Sequence, residues 1–273
     1  MLKNALRHYL LAVQFFTRVP VTGRLAAWVG YSPALLRASS GHFPGVGWLV
    51  GLLALGVYAA VYRALAGGPL AGAVAAALST AATLLMTGGF HEDGLADVAD
   101  GLGGAYTPER ALEIMKDSRI GAFGAMALVM ALVTKLALLV QLGGHGLLAP
   151  LVALAGAHPL SRLWPLLTIR ALPHVGDSAT SKSKPLADRI SPGALAVAAL
   201  WALPPLLLVG WLLGAGVAAT ALLGSAMGAA WMHWRFVRRL RGFTGDCLGA
   251  SQQLAELGFY LGAAVALAQR AAA

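Results

Sequence analysis

The chain has 273 residues, of which 58% are hydrophobic and only 11% charged, with a mean hydropathy of +0.73 and a formal net charge of +9. A soluble domain is about 45–50% apolar and roughly 25% charged, so this composition excludes a disordered chain, a nucleic-acid-binding tail protein and an ordinary water-soluble enzyme. It demands an all-α polytopic membrane helix bundle, a single integral domain over residues 1–273, with the lipid bilayer as its main partner and no nucleic acid.

Residues 2–19 come first. Lys3, Arg7 and Arg18 flank an apolar stretch, which predicts an amphipathic or re-entrant helix at the membrane interface. No signal-peptide cleavage site follows it. A helical span needs roughly 20 apolar residues to cross about 30 Å of hydrocarbon. About seven stretches approach that length: 43–62, 70–87, 120–142, 147–169, 193–213, 217–232 and 254–268. The last two are short. Small residues crowd 71–77 and 215–230, as close helix packing requires.

With the N-terminus inside, the inner segments carry 16 Lys and Arg, and the outer ones only Arg63 and Arg270. The positive-inside rule then predicts a cytoplasmic N-terminus, an odd number of spans and an active face on the cytoplasmic side. Lys135 and Arg162 fall within spans. Lys135 is expected to snorkel outward or pack. Cys247 is the one cysteine, so no internal disulfide forms.

Seven of the eleven acids lie between Glu92 and Asp117. Asp93, Asp97 and Asp100 are spaced i, i+4, i+7, so on a helix they share one face. Carboxylates about 6 Å apart repel by roughly 3 kcal/mol at an effective dielectric of 20. Such a stack asks for a cation, and hard oxygen donors suit Mg²⁺. Glu92 is a further candidate ligand, and His91 a candidate ligand or substrate contact. The competing reading is a solvated acidic loop in which the aspartates cap helices.

The loop continues through Lys116, Ser118 and Arg119 to the start of the third span. These donors, near a helix N-terminus, suit phosphate. Asp246, between Gly245 and Gly249 and just before the last span, is a candidate ligand or general base. Glu256 lies deeper in that span, functional or paired with a base. His158, Ser161 and Arg162 share a helical face beside Pro159 and Pro165. The prolines should break that helix, and Arg162 is a candidate substrate contact. The polar loop 178–184, with Lys182 and Lys184, is a candidate lid.

Five motifs occur together in order: Phe16-Thr-Arg-Val-Pro20, Phe43-Pro-Gly-Val-Gly47, residues 87–101, Lys116-Asp-Ser-Arg-Ile-Gly121 and Thr244-Gly-Asp-Cys-Leu-Gly249. On them the chain resembles the cobalamin synthase family, the adenosylcobinamide-GDP ribazoletransferases. It departs from the family pattern at Phe90 and Glu92, which makes Glu92 a weaker ligand than the three aspartates. The resemblance implies an inner-membrane enzyme that joins adenosylcobinamide-GDP to α-ribazole, or to α-ribazole 5′-phosphate, and releases GMP with Mg²⁺ as cofactor. It implies catalytic and metal-binding roles for Asp93, Asp97, Asp100 and Asp246, and substrate contacts for His91, Lys116, Ser118, Arg119, Arg162 and Thr244. A homo-oligomer is compatible with it.

Two other classes are weighed against this reading. A CDP-alcohol phosphotransferase also clusters aspartates, but its signature carries Ala-Arg where this chain has Ala96-Asp97. A corrinoid transporter is expected to place polar groups at the bilayer midplane, whereas here the acids crowd the inner ends of the spans.

Overall fold

The computed structural model describes residues 2–176 and 189–272, so the polar loop 178–184 lies outside the described residues. The described chain is helical apart from one isolated bridge between His174 and Phe243. Helix α1 (Leu2–Phe16) packs its Leu11, Ala12, Val13 and Phe16 side against the bundle. Two short helices follow, α2 (Gly23–Val29) and α3 (Pro33–Ser39), and a single 3₁₀ turn leads into α4 (Phe43–Ala64). Ser32 caps α3, its hydroxyl oxygen accepting the Leu35 N–H, and Pro33 fills the first helical position, where a missing N–H costs nothing.

Helix α5 (Ala71–Thr87) ends at Gly88 and Gly89, both in the left-handed region at φ 71° and 70°. Glycine adopts that conformation without a steric cost, and the chain turns by 89° into α6 (Phe90–Gly104). Helix α6 therefore lies across the end of the bundle rather than along it. A short α7 (Pro108–Met115), capped by Thr107, precedes α8 (Ala122–Gly143).

The expected break at the prolines is present. Residues 147–169 form two helices, α9 (Leu148–Ser161) and α10 (Trp164–Ala171), with Arg162 at the break. Then come α11 (Pro192–Leu213), α12 (Ala215–Arg239) and α13 (Gly245–Ala272).

Backbone approach through small residues holds the bundle together. A Cβ on Gly47 would lie 2.5 Å from the His158 carbonyl oxygen, so α4 and α9 touch backbone to backbone. In the same way Gly224 of α12 meets Gly258 of α13, Gly228 meets Leu254, and Gly262 meets Thr220, so two small-residue faces are in contact. Two tryptophans join α4 to α11 and the turn before α4: Trp48 donates to the Trp201 carbonyl at 2.9 Å, and Trp201 donates to His42 Nδ1 at 3.1 Å.

Four segments are long and apolar enough to cross a membrane: Pro33–Ala64, Ala122–Gly143, Pro192–Leu213 and Ala215–Arg239. The bent pair α5 and α6 is apolar enough when taken together, as a broken span or a re-entrant loop. This is fewer than the seven expected. The pair α9 and α10 is interrupted at Arg162, and the buried side of α13 carries Gln252, Gln253 and Glu256, which lowers its hydropathy.

Candidate active site

The site is built where α6 crosses the first turn of α13. Gly94 and Gly249 set the spacing. A Cβ on Gly94 would lie 2.7 Å from the Asp246 carbonyl oxygen, and one on Gly249 would lie 3.1 Å from the Cα and carbonyl oxygen of His91. Asp93 is exposed on α6, Asp97 follows one turn later and is half-buried, and Asp246 is half-buried on α13. The three carboxylates are within electrostatic reach of one another. Burial, and then the charges of Asp246, Asp93 and Asp100, push the Asp97 carboxyl up to about 7. The Thr244 hydroxyl donates to Asp246 Oδ2 at 3.2 Å and orients it. Cys247, next in sequence, is fully buried.

Asp100 is engaged by the backbone at the start of α8. Its Oδ2 accepts the Gly121 N–H at 2.7 Å and its Oδ1 accepts the Gly124 N–H at 2.8 Å. It therefore caps α8 from a distance, meeting two of the donors that a helix N-terminus leaves unpaired. A Cβ on either glycine would run into that carboxylate. Both oxygens of Asp100 are engaged, and they fix the loop that carries Lys116, Ser118 and Arg119.

That loop is exposed. Arg119 pairs with Asp117 at 2.6 Å, and its hydrogen bonds hold the Asp117 carboxyl down at about 2. The guanidinium expected to clamp phosphate is thus already matched by its own neighbour. Lys116 and Ser118 stand on the same surface.

Glu92 turns inward, away from the aspartates. Its Oε1 accepts from Gln253 Nε2 at 2.9 Å, while Oε2 is buried without a hydrogen-bond partner. Gln253 also donates to Gln252 Oε1 at 2.9 Å, and Gln252 Nε2 donates to Glu256 Oε2 at 2.7 Å. Lys135 ends this polar line. It is 4% exposed and meets Glu256 Oε1 at 2.7 Å, so it neither snorkels nor packs as an apolar stem. His158 Nδ1 lies 3.4 Å from the other Glu256 oxygen. Gln252 and Gln253 are the residues that spacing arguments missed; two adjacent amides one turn before an intramembrane acid were the available signal.

Arg162 is buried at the break between α9 and α10, donates Nη1–H to the His158 carbonyl at 2.9 Å, and lies 5.7 Å from the centre of the Phe43 ring. His91 is buried and stacks on the other residue of that contact, Phe43, at 5.6 Å.

Among the described residues no three His, Cys, Asp or Glu side chains close into a ready-made metal cage. Mg²⁺ does not need one. It commonly binds through one or two carboxylates, waters and substrate phosphate oxygens. The crowding that raises Asp97 beside Asp246 and Asp93 fits a site that gains from a divalent cation.

The fold and site together define a polytopic helical membrane protein with a carboxylate face at one end of its bundle. The chain belongs to the cobalamin-5-phosphate synthase family, whose model matches residues 8–264. It is 58% identical to a protein of Polaromonas sp. (strain JS666 / ATCC BAA-500) over 96% of this chain and 97% of the relative. It is 57% identical to one of Albidiferax ferrireducens over 96% and 99%, and 43% identical to one of Vibrio cholerae over 95% and 94%. All three relatives are named adenosylcobinamide-GDP ribazoletransferase. No solved structure matches the chain.

Proposed function

We propose that this chain joins adenosylcobinamide-GDP to α-ribazole or α-ribazole 5′-phosphate and releases GMP. The observation that carries this reading is the meeting of Asp93, Asp97 and Asp246 at one α6–α13 crossing, in a chain of this family. Asp93 and Asp97 are the residues that would hold Mg²⁺, whose charge offsets that of a pyrophosphate as GMP departs. Asp246, oriented by Thr244, accepts the proton of the ribazole hydroxyl that attacks the phosphorus on the cobinamide side. Lys116 and Ser118 face the phosphates from the loop that Asp100 secures. No covalent nucleophile is required, in keeping with the burial of Cys247.

The same proposal includes seven membrane-crossing segments: α4, α5, α8, the broken α9–α10, α11, α12 and α13. The N-terminus and the carboxylate face are cytoplasmic, as the distribution of Lys and Arg supports, and the membrane is the inner one.

The test is GMP release by the purified full chain in liposomes. Release that needs both substrates and Mg²⁺ and stops with EDTA supports the transferase. Release from a CDP-linked donor instead would make it a different phosphotransferase. Corrinoid uptake without GMP release would make it a transporter.

A further inference from the structure

A groove of about 350 Å³ lies between α6, α8 and α12, within the range of small-molecule sites, roughly 300–1,000 Å³. Its apolar walls include Val98 and Leu102 of α6, Phe123 and Ala127 of α8, and Trp231 of α12. At about 100° per residue, Val98 and Leu102 leave α6 opposite Asp93, Asp97 and Asp100. The groove is therefore on the side of α6 away from the carboxylate face. Helices α8 and α12 both pack on α13, and the groove is the gap between them. Phe123 and Trp231 at its edge are exposed, as are Met126 and Met227 beside them, the surface expected of helices that face lipid.

One lining side chain is charged, Arg235. It is partly buried, and its Nε is closed off from solvent without an acceptor. No ion pair reaches it among the described residues, and the groove contains no acid. Arg239, one turn later, is by contrast engaged by the Ala105 carbonyl at the end of α6. A guanidinium against apolar walls with no partner is costly, and the partner that suits its planar fork is an oxyanion such as phosphate.

We infer that this groove binds an anionic phospholipid, with an acyl chain along the apolar walls and the headgroup phosphate on Arg235. The depth agrees. Trp231 and Trp234 pair with ring centroids 5.1 Å apart within the turn before Arg235, and tryptophans gather at headgroup level. Basic pockets between membrane helices on the cytoplasmic side hold anionic headgroups; that this end is cytoplasmic rests on the orientation proposed above. A zwitterionic headgroup brings a cation for which the groove offers no carboxylate. A soluble phosphate leaves the apolar walls uncovered.

The experiment is native mass spectrometry of the full chain in detergent, titrated with phosphatidylglycerol or phosphatidylcholine, and it does not depend on turnover. Wild type should retain phosphatidylglycerol at concentrations where phosphatidylcholine is lost. Arg235→Gln should weaken that binding by about five-fold, the effect of one basic residue near an anionic surface, whereas Arg238→Gln, which removes the same charge from an exposed position of α12, should change it by less than about two-fold. Ala127→Trp fills the groove and should also weaken binding. Equal losses in Arg235→Gln and Arg238→Gln would reduce the effect to surface charge and overturn the inference. Unchanged binding in Arg235→Gln, or equal retention of the two lipids, would overturn it too. A dimer that Ala127→Trp dissociates would give the groove to a second copy of the chain. Arg235 is partly exposed, so its variant keeps wild-type thermal unfolding, and the comparison stands even if Ala127→Trp does not fold.

Discussion

Gly94 of α6 faces the backbone of Asp246 so closely that a methyl group on it would lie 2.7 Å from the Asp246 carbonyl oxygen and 3.0 Å from its Cα. In most helix interiors Gly→Ala is stabilising by roughly 0.5–1 kcal/mol. Here Gly94→Ala must push α13 away from α6 at the point where the carboxylates meet. The expected outcome is a lower thermal unfolding temperature and a drop in kcat, read from detergent-solubilised protein. An ordinary helix-propensity gain with full activity would show that the crossing does not set the site.

Asp93→Asn and Asp97→Asn remove the two carboxylates assigned to Mg²⁺. Turnover should vanish in each while the protein still purifies as a folded membrane protein. Near-normal GMP release from either would sink the assignment.

The raised Asp97 carboxyl gives a pH signature. Its folded value of about 7 lies above the ordinary 3.8, so between those values the folded state holds more protons than the unfolded one. Without metal, stability from this group therefore falls as pH rises from about 4 to 7. Mg²⁺ competes with that proton. Thermal unfolding should show a larger Mg²⁺-dependent increase at pH 8 than at pH 6, and Asp97→Asn should remove the difference. Equal increases at both pH values would count against Asp97 as a ligand.

Asp100 is expected to behave as a structural cap. Asp100→Ala leaves the Gly121 and Gly124 N–H groups without their acceptor, a loss of about 3–6 kcal/mol for two hydrogen bonds to a charged group. Asp100→Asn retains one acceptor oxygen and should recover part of it. Mg²⁺ affinity, measured by calorimetry, should be unchanged in Asp100→Asn. A large loss of affinity there would return Asp100 to the metal.

The buried pair Lys135–Glu256 calls for a double-mutant cycle. Lys135→Met alone strands a carboxylate inside the bundle and should destabilise by about 3–5 kcal/mol. Adding Glu256→Gln should recover most of it. Additive losses would mean that the two charges are not coupled.

Much of this was legible in one dimension because it is periodic. The i, i+4, i+7 acids marked α6, and the prolines around Arg162 marked the break between α9 and α10. What stayed hidden depends on which helices meet. Spacing puts Asp100 on the face of Asp97, but only the packing of α8 against α6 shows that its oxygens are taken by backbone N–H groups. Lys135 lies near the middle of an apolar stretch, and its partner Glu256 is far away in sequence. Four or five segments pass on hydropathy where seven were expected, for a related reason. Hydropathy windows on α13 do not register that its amides and acid point inward, where they pair with one another.

The right-angle turn at Gly88 and Gly89 also bears on how the protein is made. Were α6 drawn into the bilayer with α5, each of Asp93, Asp97 and Asp100 would add about 2.5–3.5 kcal/mol to the cost of entry at its centre. In the topology proposed above, ending the apolar segment at Thr87 and turning sideways lets α5 enter lipid while the acidic helix stays packed across the end of the bundle. A side chain at either position would then be felt first in biogenesis, as loss of correctly inserted protein, before any enzyme was present to assay.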